Sequence, residues 1–412
     1  MRIFYSNALA KRKNDEESSE SSASDSEIEA RPSKRVKPTD ESTTATVTPD
    51  AATTSTKAEE AETKPEAVVF VPHSKYYFDD GDIILRVAGT TMFRVHRDKL
   101  HPLGGVFEDM FSLPQPEDAE KIDGVPFCDV LLVSPKIMSY LMGYIYGDIV
   151  LLKKAKSTNG RDILYWKAAV ALLEASHKLS LGGLRMRVIE ALRTLFHCDA
   201  LFNPTKPAIG GIRTHKGKTI MPRVFPLQAI NLFREYNIPS LTPMAYYYAA
   251  QLSVQDIVHG VVRRDGEREV LCPYDMTQVI TGRELLKLSR RTVLFGWLNN
   301  LTRDGRHVKP SEECTELPLE SSGDTCFNYL MRMLMDFNRN LFLDSRTDAL
   351  QSLPQVSNVF LTRHLCASCR VRVQEQMEAA IQANWQELPN YFGFKGWQDV
   401  MDRQKSVDAG WD

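Results

Sequence analysis

Seven cysteines, an odd number scattered over 412 residues, are too few to build a disulfide framework. They fit a reducing compartment and leave thiol or metal-ligand chemistry as the default. Long apolar runs are missing too. No stretch of about eighteen uninterrupted apolar residues occurs, which argues against a membrane-spanning helix. The opening MRIFYSNALAKRK is too short an apolar stretch for an export signal and is broken by Ser6 and Asn7, so secretion is not expected. The expected compartment is nucleus or cytoplasm. Neither sign of charge is in excess: 51 basic and 53 acidic residues leave a formal net charge of -2. That excludes global attraction to nucleic acid or an anionic membrane, and any such binding has to be local.

Catalytic signatures are also absent. There is no G-x-S-x-G, H-E-x-x-H, P-loop or glycine-rich dinucleotide turn, so neither an enzyme nor a small-molecule substrate is expected. His96 and His177 sit inside periodic elements, where structural histidines are commoner than catalytic ones. Aromatic residues vanish between Tyr5 and Phe70, and that stretch is mostly Ser, Thr, Glu, Asp, Lys and Pro. It cannot bury enough surface to offset its ordering entropy, so residues 1–66 are expected to be a disordered tail. Basic clusters within it include Lys34-Arg35-Val36-Lys37, where Lys34, Arg35 and Lys37 form a candidate nuclear-import signal. The acid-rich serines of residues 18–29 suit acid-directed phosphorylation.

What the chain does contain begins near Val68. Ile83, Leu85 and Val87 alternate with Ile84 and Arg86, and Phe93 and Val95 with Arg94 and His96, the period of two that strands require. Ala88-Gly89 between them suits a tight hairpin. Short helices are expected over 98–103 and 106–111, and a strand over 130–133. Ser134-Pro135 reads as a helix start, with an N-cap followed by proline in the first turn. Two helical stripes, Tyr165 to Leu179 and Leu184 to Leu195, flank Gly182-Gly183 and predict an αα hairpin. Beyond a Pro- and Gly-containing link the pattern is helical throughout. Thr242-Pro243 opens one helix, Thr281-Gly282-Arg283-Glu284 reads as a capping box, and a long helix lined by Val373, Met377, Ile381, Asn384 and Leu388 is expected to stop at Pro389. The expected organisation is a folded part at 67–200, a linker at 201–224, a helical part at 225–400 and a tail at 401–412.

This element order, together with Asp82, Phe93-x-Val95-His96, Leu100, Phe107 and Met110, resembles the BTB/POZ family over residues 75–196. The rest is similar to the helical region of expanded fungal BTB proteins, through Cys366-x-x-Cys369, Trp385, Leu388-Pro389 and Phe392-Gly393. The resemblance implies an α+β BTB/POZ fold, a small sheet covered by helices, followed by an all-α domain. It also implies association rather than chemistry: homodimerisation, or recruitment of a cullin-type ubiquitin-ligase scaffold or a transcriptional regulator. In dimeric relatives a charged pocket uses acid and base at the positions of Asp82 and Arg97, next to His96. A partly buried ion pair there is the functional reading, and a contact that fixes the register of the fold is the bland one. Gly104 departs from the family, which usually places there a serine that caps the second small helix. Upstream of Asp82, only residues 67–71 offer a possible further strand.

Cys366-Ala367-Ser368-Cys369 is the one chemically pointed feature, because this spacing lets two thiolates grip a single ion from a tight turn. Two further ligands are needed. Cys314 and Cys326 are the candidates, with His307 and His364 as substitutes, for a structural zinc; buried reduced thiols are the alternative. Two basic stretches, residues 211–218 and Ser289-Arg290-Arg291, leave a second function open: a nuclear, DNA-associated regulator whose helical domain is stapled by zinc.

Overall fold

The alternation of apolar residues predicted for the first hairpin is what the computed structural model shows. The structure describes residues 70–113, 120–154, 162–198, 224–294, 296–303, 306–307, 312–315, 325–339, 347–350 and 364–411. The import cluster, the serine-rich stretch and the basic residues 211–218 lie outside these.

Strands β2 (Ile83–Val87) and β3 (Thr91–Val95) pair antiparallel, Ile83 opposite Val95 and Val87 opposite Thr91. Ala88 and Gly89 both take positive φ in the three-residue loop Ala88–Thr90, the primed geometry that matches the twist of the flanking strands. On the inner face Ile83, Leu85, Val87, Phe93 and Val95 are buried. β1 (Val71–Tyr77) lies parallel to β3 at one edge, so the strand upstream of Asp82 is later than residues 67–71. It begins the edge with Pro72, a residue that cannot donate to a ladder and is tolerated there. On the other side β5 (Val125–Val130) runs parallel to β2 and is paired with the two-residue β4 (Lys121–Ile122), giving the order β1-β3-β2-β5-β4. The strand expected at 130–133 therefore ends where it was expected to begin. Leu131 and Leu132 are exposed instead, while Val133 turns into the core.

Between β3 and β4 come α1 (Arg97–Leu100), a 3-10 turn at His101–Leu103 and α2 (Val106–Ser112). The N-cap of α2 is Gly105, one residue beyond the expected position, and its φ of 56° is one that side chains rarely adopt. Ser134 caps α3 (Pro135–Ile145), accepting from the Ile137 N–H at 3.4 Å. α4 (Trp166–Lys178) and α5 (Gly182–Arg193) form the expected αα hairpin.

The later region holds α6 (Val224–Glu235), α7 (Thr242–Ala250), α8 (Val254–His259), α9 (Pro273–Ser289), α10 (Cys326–Arg339), α11 (Ala367–Tyr391) and α12 (Trp397–Asp408), with short two-residue hairpins between some of them. Every residue of α7 from Pro243 to Ala250 is buried, as a central helix requires. Two expectations need correction here. The capping-box residues lie in the middle of α9, whose N-cap is Cys272. Gly282 owes its place to packing, because a Cβ there would collide with the Phe392 ring. The long helix also runs through Pro389 to Tyr391. Proline cannot donate to the Trp385 carbonyl one turn back, and the Trp397 indole N–H supplies that bond at 2.7 Å.

Residues 66–412 form one compact unit, and a single hydrophobic core runs from Tyr76 to Trp397. Trp166 and Phe196 meet Phe225 with ring centroids at 4.5 and 5.7 Å. Buried Arg185 on α5 donates to the carbonyls of Tyr236 and Asn237 at 2.9 and 3.1 Å and lies beneath the Trp411 ring. The α/β segment and the helical segment thus share one interior. No helix among the described residues is long and apolar enough to cross a membrane.

Candidate metal centre

Four thiols separated by up to 55 positions in sequence converge at one place. Cys314 lies in a short turn within residues 312–315. Cys326 is the first residue of α10, whose start is held by Thr325 Oγ1 accepting from the Asn328 N–H at 3.2 Å. Cys366 is the N-cap of α11, in an extended conformation, and Cys369 follows in its first turn. The four Sγ atoms all lie within 4.8 Å of one another. Cys314, Cys326 and Cys369 are buried, Cys366 is half-buried, and none of the four is in a disulfide.

The local electrostatics favour anionic sulfur at Cys366. Two helices present their N-terminal ends to the cluster, where unpaired N–H groups stabilise negative charge. The Cys366 N–H donates to Cys326 Sγ at 3.2 Å. For Cys366 itself burial pushes the thiol upward, but the N–H groups of Cys369 and Thr315 and the neighbouring thiols outweigh it and bring the sulfur below its ordinary value. Burial holds the Cys326 thiol above its ordinary value. A tetrahedral ion with bonds of about 2.3 Å would set its sulfurs about 3.8 Å apart. The cluster reaches this by contracting about 1 Å at most. These four cysteines can hold a metal ion.

Of the histidines expected as substitutes, His364 is not part of the cluster. His364 stacks flat on Tyr329, with centroids 4.6 Å apart, and the side chain of His307 lies outside the described residues.

The expected charged pocket takes a different form. The Asp82 carboxylate accepts from the backbone N–H of Arg97 at 2.8 Å, so the acid anchors the start of α1 and makes no side-chain ion pair with Arg97 among the described residues. The Arg97 guanidinium lies over Phe111 at 5.5 Å. His96 contacts the Tyr146 hydroxyl at 2.8 Å through Nδ1 and Asp80 at 3.3 Å through Nε2. Phe93, Leu100 and Phe107 are fully buried and Met110 packs against them. His177 is ringed by Tyr236 and Trp411.

No protein-family model, curated protein or solved structure matches this chain.

Of the second basic stretch, Arg290 is buried and paired with Asp348 at 2.6 Å, which removes it from any surface. Sequence reading missed one polar centre. Buried Asp275 receives two bonds from Arg234 and one from the Tyr246 hydroxyl at 2.5 Å, joining α6, α7 and α9. Partners 29 and 41 positions away leave no local pattern to read.

Proposed function

We propose that this chain is a non-enzymatic protein-interaction protein of the BTB/POZ type, with a helical region stapled by one structural zinc ion. The α/β segment associates with a second copy of itself or with a partner such as a cullin-type ligase scaffold or a transcriptional regulator. The observation that carries this reading is the order of elements around β2, β3 and β5. A hairpin leads into two small helices, a parallel strand and an αα hairpin, and burial of Phe93, Val95, Leu100 and Phe107 supports their reading as fold anchors. Val71, Leu113, Leu131 and Leu132 show more than half of their surface to solvent, apolar area that association would bury.

For the metal, the donor set of four thiolates and the spacing support a single thiophilic ion. An iron–sulfur cluster would place several irons and sulfides between the cysteines and spread them further. Zinc fits this closed tetrahedral set and has no redox chemistry of its own. It would hold Cys314, Cys326 and the start of α11 together.

Two measurements test the proposal. Analytical ultracentrifugation of the full chain should give a dimer, or a monomer that forms a stable complex with a cullin N-terminal segment or a corepressor peptide; a monomer that binds neither removes the interaction reading. Elemental analysis of the purified chain should give one zinc per molecule, and its absence after reconstitution removes the metal.

A further inference from the structure

Resting on the zinc reading above, we propose that the cysteine cluster is a site of oxidative modification by hydroperoxides, with Cys366 as the reacting sulfur and Cys369 as its resolving partner. Three of the four sulfurs are shut away: Cys314, Cys326 and Cys369 are at most 6% exposed, and Cys366 alone is half-buried. An oxidant arriving from solvent therefore meets Cys366 first. Its position as N-cap of α11 sets the sulfur at the very start of a 25-residue helix, at the solvent side of the cluster. Cys369 lies three positions on in the first turn, with its Sγ within 4.8 Å. This C-x-x-C arrangement at a helix start suits disulfide formation between its two members.

The chemistry closes without further reagents. The Cys366 thiolate attacks one peroxide oxygen, the O–O bond breaks, and the departing hydroxide is protonated to water, leaving a sulfenic acid. The Cys369 thiolate attacks that sulfur, a disulfide forms, and the second oxygen leaves as water. Two thiolate ligands are then lost to the metal. Zinc departs as the divalent cation, and Cys314 and Cys326 each take up one proton. Counted together, one peroxide and four protons convert the tetrathiolate site into free zinc, one disulfide, two thiols and two waters. The consequence is local to the ends of α10 and α11: the ion that bridged them is gone, and the remaining covalent link lies within α11 alone.

The test uses the zinc-loaded full chain carrying Cys128→Ser and Cys272→Ser, which removes two half-buried thiols outside the cluster. Hydrogen peroxide is added in equimolar amount, zinc release is followed with a chromophoric chelator, and disulfides are mapped by mass spectrometry. The expected result is release about tenfold faster than without peroxide, one zinc freed per peroxide consumed, a Cys366–Cys369 disulfide, and recovery on adding dithiothreitol and zinc. Zinc retained under peroxide, or a disulfide joining any other pair first, overturns the oxidation proposal and leaves the metal reading standing. A chain that never binds zinc overturns the metal reading itself. Cys369→Ser, which removes the resolving thiol, provides the second arm: it should accumulate Cys366 sulfenic acid, trapped by dimedone, and adduct formation on Cys314 or Cys326 in preference to Cys366 also overturns the assignment.

Discussion

Pro389 and Trp397 show how a single residue's defect is met by another. Proline within the last turn of α11 leaves the Trp385 carbonyl without its helical donor, deep in the core beside two stacked indoles whose centroids are 4.6 Å apart. Trp397→Phe keeps most of the ring and removes only the indole N–H. It should lower stability by about 2 kcal/mol, the cost of leaving a buried carbonyl unpaired, as read by urea unfolding. Asp82 offers a contrast between charge and geometry. Because its carboxylate serves the Arg97 N–H rather than a guanidinium, Asp82→Asn should be nearly neutral, whereas Asp82→Ala should cost about 1 kcal/mol, measured by the same method. Equal losses in both variants would show that the charge itself matters.

At the scale of elements, the cysteine cluster joins the first turns of α10 and α11 with the short turn at Cys314, and the zinc proposed there would tie these helix starts together. Stripping zinc with a strong chelator at neutral pH should lower the melting temperature, and readdition should restore it. At free zinc a thousandfold above its dissociation constant the stabilisation is about 4 kcal/mol. Hydrogen exchange should then rise first at residues 326–330 and 366–372. The sequence showed the C-x-x-C pair and offered Cys314 and Cys326 as candidate partners. It could not choose between thiols and histidines as ligands. For His364 the choice depends on where the ring points: it stacks on Tyr329 and stands apart from the four sulfurs. The capping-box error at Thr281 has a similar root: the local motif is genuine, but α9 begins eight residues earlier and buries Gly282 against Phe392.

At the scale of the whole molecule, one interior spans what composition divides into an α/β part and a helical part. A consequence is a single cooperative unfolding transition for residues 66–412, with α7 at its centre. Tyr246, Tyr247 and Tyr248 on that helix all have their hydroxyls held well above the ordinary tyrosine range, chiefly by burial, with donation to Asp275 adding to it for Tyr246. Below about pH 10 native and unfolded chains both keep these protons, and the three groups leave stability unchanged. Above it the unfolded chain releases protons that the native chain retains, so stability falls as pH rises. The slope should approach about 1.4 kcal/mol per pH unit for each tyrosine, read from denaturant midpoints between about pH 8 and 11. The tyrosinate absorbance contributed by these three residues, obtained by difference from their phenylalanine variants, should appear with unfolding rather than before it.

Much was determined by the sequence alone. The hairpin at Ile83–Val95, the Ser134 cap, the αα hairpin around Gly182, the helical second half and the four thiols all follow from periodicity, capping chemistry and residue scarcity, which act over a few neighbours. Tertiary structure decided the rest. It set β1 beside β3, turned Asp82 to a backbone N–H, buried Arg185 and Arg290 among carbonyls and carboxylates, carried α11 through Pro389, and drew four sulfurs to within 4.8 Å. These depend on partners from 12 to 58 positions away, whose approach is fixed by the packing of a shared core and leaves no trace in local sequence.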